Sequence, residues 1–214
     1  QQKITTNNET TGFDEYVSDP NKPVPYTSGF YGSRNNDYMA EDQRFASMRP
    51  DVLTYETEEL TEDLTLTGEI TADLQVSITG TDADFIVKLI DVLPENEPNF
   101  KNAPRGFQMA GYQRLVRAEV MRGKFRNSLE KPEAFLPGVV TQVKFSLNDV
   151  AHTFKKGHKL MVQVQSSWFP LVDRNPQQSM YIAAAEAHDF KKATIRLYHD
   201  AEHKSKITLP VQKK

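Results

Sequence analysis

Two serines, Ser166 and Ser167, five histidines and several aspartates are the side chains here that could carry chemistry. A serine nucleophile on an elbow needs Gly-x-Ser-x-Gly between a strand and a helix. No such run occurs, and Ser166–Ser167 is followed by Trp168 and Pro170 rather than by a helix start. A Ser-His-Asp triad would have to assemble by chance, and histidines on strands serve structure more often. His152 and His158 are six apart across a Lys-Lys-Gly turn, and His199 and His203 are four apart in an expected hairpin. Helical spacing for zinc does not apply to either pair, so both read as solvated loop histidines. The run TGTDADF (79–85) sets Asp82 two residues from Asp84. Calcium takes six to eight oxygens, and two carboxylates suit a turn with side-chain-to-backbone bonds better. Cysteine is absent. That excludes thiol catalysis, disulfides and cysteine-ligated zinc, without fixing the compartment. No metal and no cofactor is expected.

The most informative stretch is QSSWFPLVDRNPQ (165–177). It holds the single Trp, at the end of an expected strand, followed by a long polar and aromatic loop. Trp and Arg are enriched at the energetic centres of interfaces, and Arg offers a planar fork of donors. The stretch is expected to be an interdomain docking loop that uses Trp168, Phe169, Asp173, Arg174 and Asn175. The plainer alternative is a connection with an aromatic anchor.

The elements that would position these residues are mostly strands. Apolar and polar residues alternate over 52–60 and 70–80, 84–94 is rich in β-branched residues and stops at a proline, and 112–125, 139–150, 158–169, 193–200 and 205–211 complete the set. About eight short strands with turn residues between them indicate an antiparallel sandwich or barrel, and eight suit a jelly roll. MYIAAAEAHDF (180–190) is a short helix-like piece, and 38–48 could form one or two helical turns. Residues 1–50 read as an extended arm before a domain spanning 51–214. Its segment 16–33 carries three prolines and two glycines together with Tyr16, Tyr26, Phe30 and Tyr31. A solvated linker has no use for four aromatics, so the arm should lie on the sandwich or on a missing domain.

The chain has 214 residues, enough for one all-β domain. Lys plus Arg is 26 against 29 for Asp plus Glu, a net charge of −3, which lacks the footprint of a nucleic-acid binder. No apolar run approaches the ~18 residues of a membrane-spanning helix. The first residue is Gln, so the chain is expected to be processed or a piece of something longer.

Several long ordered runs resemble one family. DEYVSDPNKPVPY (14–26), YMAEDQRFASMRPDVLTYETEELTEDLTLTGEITADLQVS (38–77), TDADFIVKLIDVLP (81–94), GYQRLVRAEVMRGKFR (111–126) and HTFKKGHKLMVQVQSSWFPLVDRNPQ (152–177) resemble the C-terminal domain of α-amino-acid ester hydrolases. Glutaryl-7-aminocephalosporanic acid acylase-like proteins, cocaine esterase and the X-Pro dipeptidyl-peptidase group share that domain type. The resemblance runs from about residue 12 to 212. It implies an all-β jelly roll of galactose-binding-domain-like fold, which in the parent follows an α/β-hydrolase domain carrying a Ser-His-Asp triad. The order Ser, Asp, His puts that triad before the present segment, so no catalytic residue is carried over.

The resemblance thus implies a non-catalytic accessory domain that braces the hydrolase domain of the same parent chain and helps wall its substrate cleft. A carbohydrate-binding jelly roll is the alternative, with Trp168, Phe169, Phe100 and Phe107 as its aromatic surface. A self-contained enzyme is the third class. Relatives are often exported, which suggests a periplasmic or extracellular parent. The oligomeric state is left open.

Overall fold

Asp84–Val92 is a strand buried at all nine positions. In an antiparallel sheet this requires cover on both faces, and the sequence FIVKLI supplies apolar residues at both parities. The computed structural model, which describes residues 12–212 apart from 30, 32 and 35, shows what covers it. Among the described residues nine strands form: β1 (Phe13–Ser18), β2 (Val52–Glu56), β3 (Leu64–Ile78), β4 (Asp84–Val92), β5 (Gln113–Arg122), β6 (Thr141–Phe154), β7 (Lys159–Gln165), β8 (Ala193–Tyr198) and β9 (Lys206–Thr208). One sheet has the order β1-β8-β3-β6, with β9 also on β3, and the other β2-β7-β4-β5. Every strand pairing is antiparallel. The two sheets face each other as a jelly-roll sandwich.

Alternation builds the core between them. Leu66, Ile70, Ala72, Leu74, Val76 and Ile78 of β3 meet Phe85, Val87 and Leu89 of β4 and Leu160, Val162 and Val164 of β7. The parity of β6 changes once. Its register against β3 shifts between Glu69 and Thr71, and Asn148 has φ 65°. One extra residue there lets Leu147 and Val150, three apart, both point inward. Asn tolerates this left-handed backbone better than most residues.

The other face of β4 presents Ile86, Lys88 and Ile90. Tyr26 and Trp168 cover Ile86, and Met161 packs on Ile90. The described residues between 12 and 50 are thus part of the sandwich or packed on it. β1 is the terminal strand of the first sheet, paired with β8 from Phe13↔Tyr198 to Ser18↔Ala193, and Tyr16 enters the core. The described residues of 19–51 then cross to the outer face of the second sheet. There Val24 packs with Val52 and with Ala46 of the short helix α1 (Arg44–Ser47). Of the four arm aromatics, Tyr16 and Tyr26 are buried and Tyr31 is exposed. Phe30 lies outside the described residues. The helix-like piece at 180–190 is two 3-10 turns, Ile182–Ala184 and Ala187–Asp189. Ala185 between them is extended, and Glu186 with Asp189 forms a capping box on the second.

Candidate functional site

The 165–177 stretch clasps the N-terminal segment of its own chain. The Phe169 amide donates to Val24 O at 2.9 Å, and the Tyr26 amide donates to Phe169 O at 3.0 Å. Ser167 Oγ accepts the Val24 amide at 2.9 Å, and Ser166 Oγ bonds Tyr16 Oη at 2.7 Å. Both serines therefore hold the arm. Arg174 donates to Pro20 O at 3.0 Å and lies 4.6 Å from the Phe190 ring centre. Gln177 donates to Ser18 Oγ at 2.8 Å. Gly80 makes this approach feasible, because a Cβ there would fall 2.3 Å from Gln177 O.

The five residues expected to dock another domain separate. Trp168 is buried among Tyr26, Ile86 and Tyr38, whose ring meets it edge-on at 5.5 Å. Asn175 is buried and bonds Asp82 at 3.0 Å and Asp84 at 2.9 Å. Arg174 reaches back to the arm. Phe169, at 39%, and Asp173 remain exposed. The inward turn of Trp168 has a simple cause. Residues 19–51 lie over the outer face of β4 and leave a slot for one large ring beside Ile86. For the aromatic surface of the carbohydrate alternative, Trp168 is inside, while Phe100 and Phe107 meet edge-on with ring centres 5.1 Å apart in the β4–β5 loop.

Asp82 and Asp84 belong to a polar cluster at one end of the sandwich. Asp82 Oδ1 accepts the amides of Ala83 and Lys124, and Asp84 takes a two-pronged contact from Arg122 at 3.0 and 3.1 Å. Burial pushes the Asp82 carboxyl up, against the Asn175 hydrogen bond that favours its charged form.

His152 and His158 are not solvated loop residues. Their rings sit on opposite oxygens of buried Asp91, at 2.9 and 2.7 Å. Asp91 lies on β4 and His152 on β6, so the carboxylate ties the two sheets together at one end. His203, in the turn between β8 and β9, packs on Tyr198 with ring centres 5.7 Å apart.

The residue that sequence reasoning missed is Lys88. It is fully buried under the arm, donates to Gln43 Oε1 at 3.0 Å, and lies 5.1 Å from the Trp168 ring centre. Cross-strand from it stands Gln163, opposite Thr54 in turn. The sequence signal was a lone lysine between Ile86 and Ile90 on one face of the most apolar strand. Burial pulls the Lys88 amine down from 10.5 to about 7. In the unfolded chain it keeps its proton to about 10.5. Between these values unfolding takes up a proton, so stability should rise from pH 7 towards pH 10. Above pH ~10 the trend reverses, because burial raises the Tyr16 and Tyr55 phenols in the folded state. Lys88→Met should flatten the rise, which urea denaturation at several pH values measures. A wild-type curve flat over this window would contradict it.

Two shallow grooves, of about 470 and 310 Å³, adjoin at the edge formed by β5 and β6 and share Arg126 and Asn127. Among the described residues no cluster of three or more His, Cys, Asp or Glu could hold a metal, and no helix is long and apolar enough to cross a membrane.

Residues 2–208 match the family of X-Pro dipeptidyl-peptidase C-terminal non-catalytic domains. The chain belongs to this family. Cocaine esterase from Rhodococcus sp. (strain MB1 Bresler) is 34% identical over 205 residues, covering 96% of the chain and 33% of the esterase. Among solved structures, a selenomethionine-labelled α-amino acid ester hydrolase is 42% identical with a TM-score of 0.88, covering 96% of this chain and 33% of that one. An aminopeptidase from a marine sediment Thaumarchaeota archaeon is 40% identical with a TM-score of 0.86, covering 94% and 33%. The chain thus spans about a third of the length of these relatives. As a member of the X-Pro dipeptidyl-peptidase C-terminal family, it is the non-catalytic β-sandwich domain found in hydrolases of this type.

Proposed function

We propose that this chain is the accessory domain of a larger serine hydrolase, where it braces an α/β-hydrolase domain and forms part of the wall of its substrate cleft. The observation that carries this reading is the match of nearly the whole chain to one third of an esterase and of an ester hydrolase. Acyl transfer from an ester or amide to water would then use a nucleophile, a base and an oxyanion site outside these residues. The engagement of Ser166 with Tyr16 and of Ser167 with Val24 agrees with a structural role for both. The fold by itself does not give the function.

Deleting this domain from the joined hydrolase tests the proposal. The remaining hydrolase portion is expected to melt at a lower temperature and to show a raised KM, the second effect reporting the wall. Unchanged melting and unchanged kcat/KM on amino-acid and acyl esters would remove both parts of the proposal.

A further inference from the structure

We propose that the hydrolase portion seats on the β5–β6 edge of the sandwich, over residues 126–140, and not on the 165–177 loop. This inference rests on the accessory-domain reading above and adds the face through which it acts. The outer face of the β2-β7-β4-β5 sheet is already covered by residues 19–51 of the chain itself. The outer face of the other sheet is polar. Asp73 there pairs with Lys206 at 3.7 Å and accepts Gln142 at 2.7 Å, Ser77 bonds Tyr198, and Arg196 pairs with Glu15 at 2.9 Å.

Residues 126–140 differ from both faces. Leu129, Leu136 and Val139 are 80%, 68% and 49% exposed within eleven residues of chain. They line the two adjoining grooves, whose walls include Met121, Phe125 and Phe145. The segment is neutral in net charge: Arg126 meets Glu133 at 2.9 Å, and its other two charges, Glu130 and Lys131, are of opposite sign. An apolar centre with a neutral polar rim is the make-up of an interface core.

The segment is also held firmly in place. Phe135 is buried, and the Arg126 guanidinium lies 4.2 Å from its ring centre. Phe135 N donates to Thr81 O at 2.9 Å, Glu133 N to Lys124 O at 2.7 Å, and Gly138 N to Ile78 O at 2.9 Å. A loop fixed in this way loses little entropy when a partner covers it. Nothing inside the domain explains why two leucines and a valine on a rigid loop face outward. The occupant follows from length. The relatives carry about two thirds of their chain beyond the matched third, so a hydrolase portion is the surface most consistently beside this domain.

The test introduces Leu136→Asp with Val139→Asp, and separately Leu129→Asp, into the joined hydrolase and into the 214-residue chain. Expected is a fall of roughly 4–8 °C in the melting of the joined protein, with the 214-residue chain within ~2 °C of wild type. No change in either protein overturns the proposal, as does an equal fall in both, which would mark a folding role. Phe169→Asp is the contrasting variant, and a larger effect from it would return docking to the 165–177 loop. If the 214-residue chain self-associates and Leu136→Asp makes it monomeric, a second copy is the occupant and the proposal fails. If the wild-type domain does not stabilise the hydrolase portion at all, it is the accessory-domain reading that fails, a result visible before any variant is made.

Discussion

A chain that starts at Asp51 should not fold cooperatively. Removing residues 1–50 takes away β1, and with it six paired positions along β8. It takes Tyr16 out of the core and strips Val24, Tyr26 and Ala46 from the outer face of the second sheet. Each large buried apolar side chain contributes about 1.5–3 kcal/mol. Three of them and an alanine come close to the 5–15 kcal/mol that separates a whole domain from its unfolded state. The loss is compounded by what stays behind. Ile86 and Trp168 become a bare apolar strip, and Lys88 loses its Gln43 partner. The truncated chain is expected to aggregate, bind a hydrophobic dye and give no sigmoidal melt by circular dichroism. A soluble monomer melting within a few degrees of the 214-residue chain would show that the arm is dispensable.

Eight of the nine strands found among the described residues were legible, β4 from its run of apolar and β-branched residues and the others mostly from faces that differ in polarity. β1 was not, for a definite reason. Phe13, Glu15 and Val17 alternate with Asp14, Tyr16 and Ser18, so both faces mix apolar and polar residues and no period of two stands out. Prolines at 20, 23 and 25 then make the segment look like a linker. The extent of β6 was cut short at residue 150 because the bulge at Asn148 breaks the alternation on which a strand is recognised. That same bulge turns His152 towards Asp91, a pairing between two sheets that no local pattern encodes. The AAAEA run at 183–187 has the composition of a helix, yet it is too short to sustain one without an apolar face to bury. Of the expected docking residues, the special character of the 165–177 stretch was legible in its Trp, Arg and prolines. Its partner was not, since the strip that binds it lies some 140 residues earlier in the chain.

Trp168→Ala should destabilise the 214-residue chain itself, by about 3–5 kcal/mol. The indole fills the space between Tyr26 and Tyr38 of the arm and Ile86 of β4. Its removal leaves a cavity that neither a strand nor a twice-bonded loop can close by shifting. The Lys88 ammonium loses the ring face beside it as well. Trp168→Phe keeps an aromatic ring in the slot and should cost less than the alanine variant. Because Trp168 is the single tryptophan, its fluorescence reports the clasp directly. Emission should be that of a buried indole in the native chain and shift to the red as the arm leaves the sheet. Urea denaturation followed by this signal and by far-ultraviolet dichroism should give one transition, since the arm strand β1 and the core unfold together. The alternative role, an anchor for a second domain, makes the opposite forecast. Trp168→Ala would then leave the 214-residue chain within ~1 kcal/mol of wild type, as exposed substitutions do, and weaken only the joined hydrolase. That outcome would place the indole at the interface and remove the clasp as the reason this loop exists.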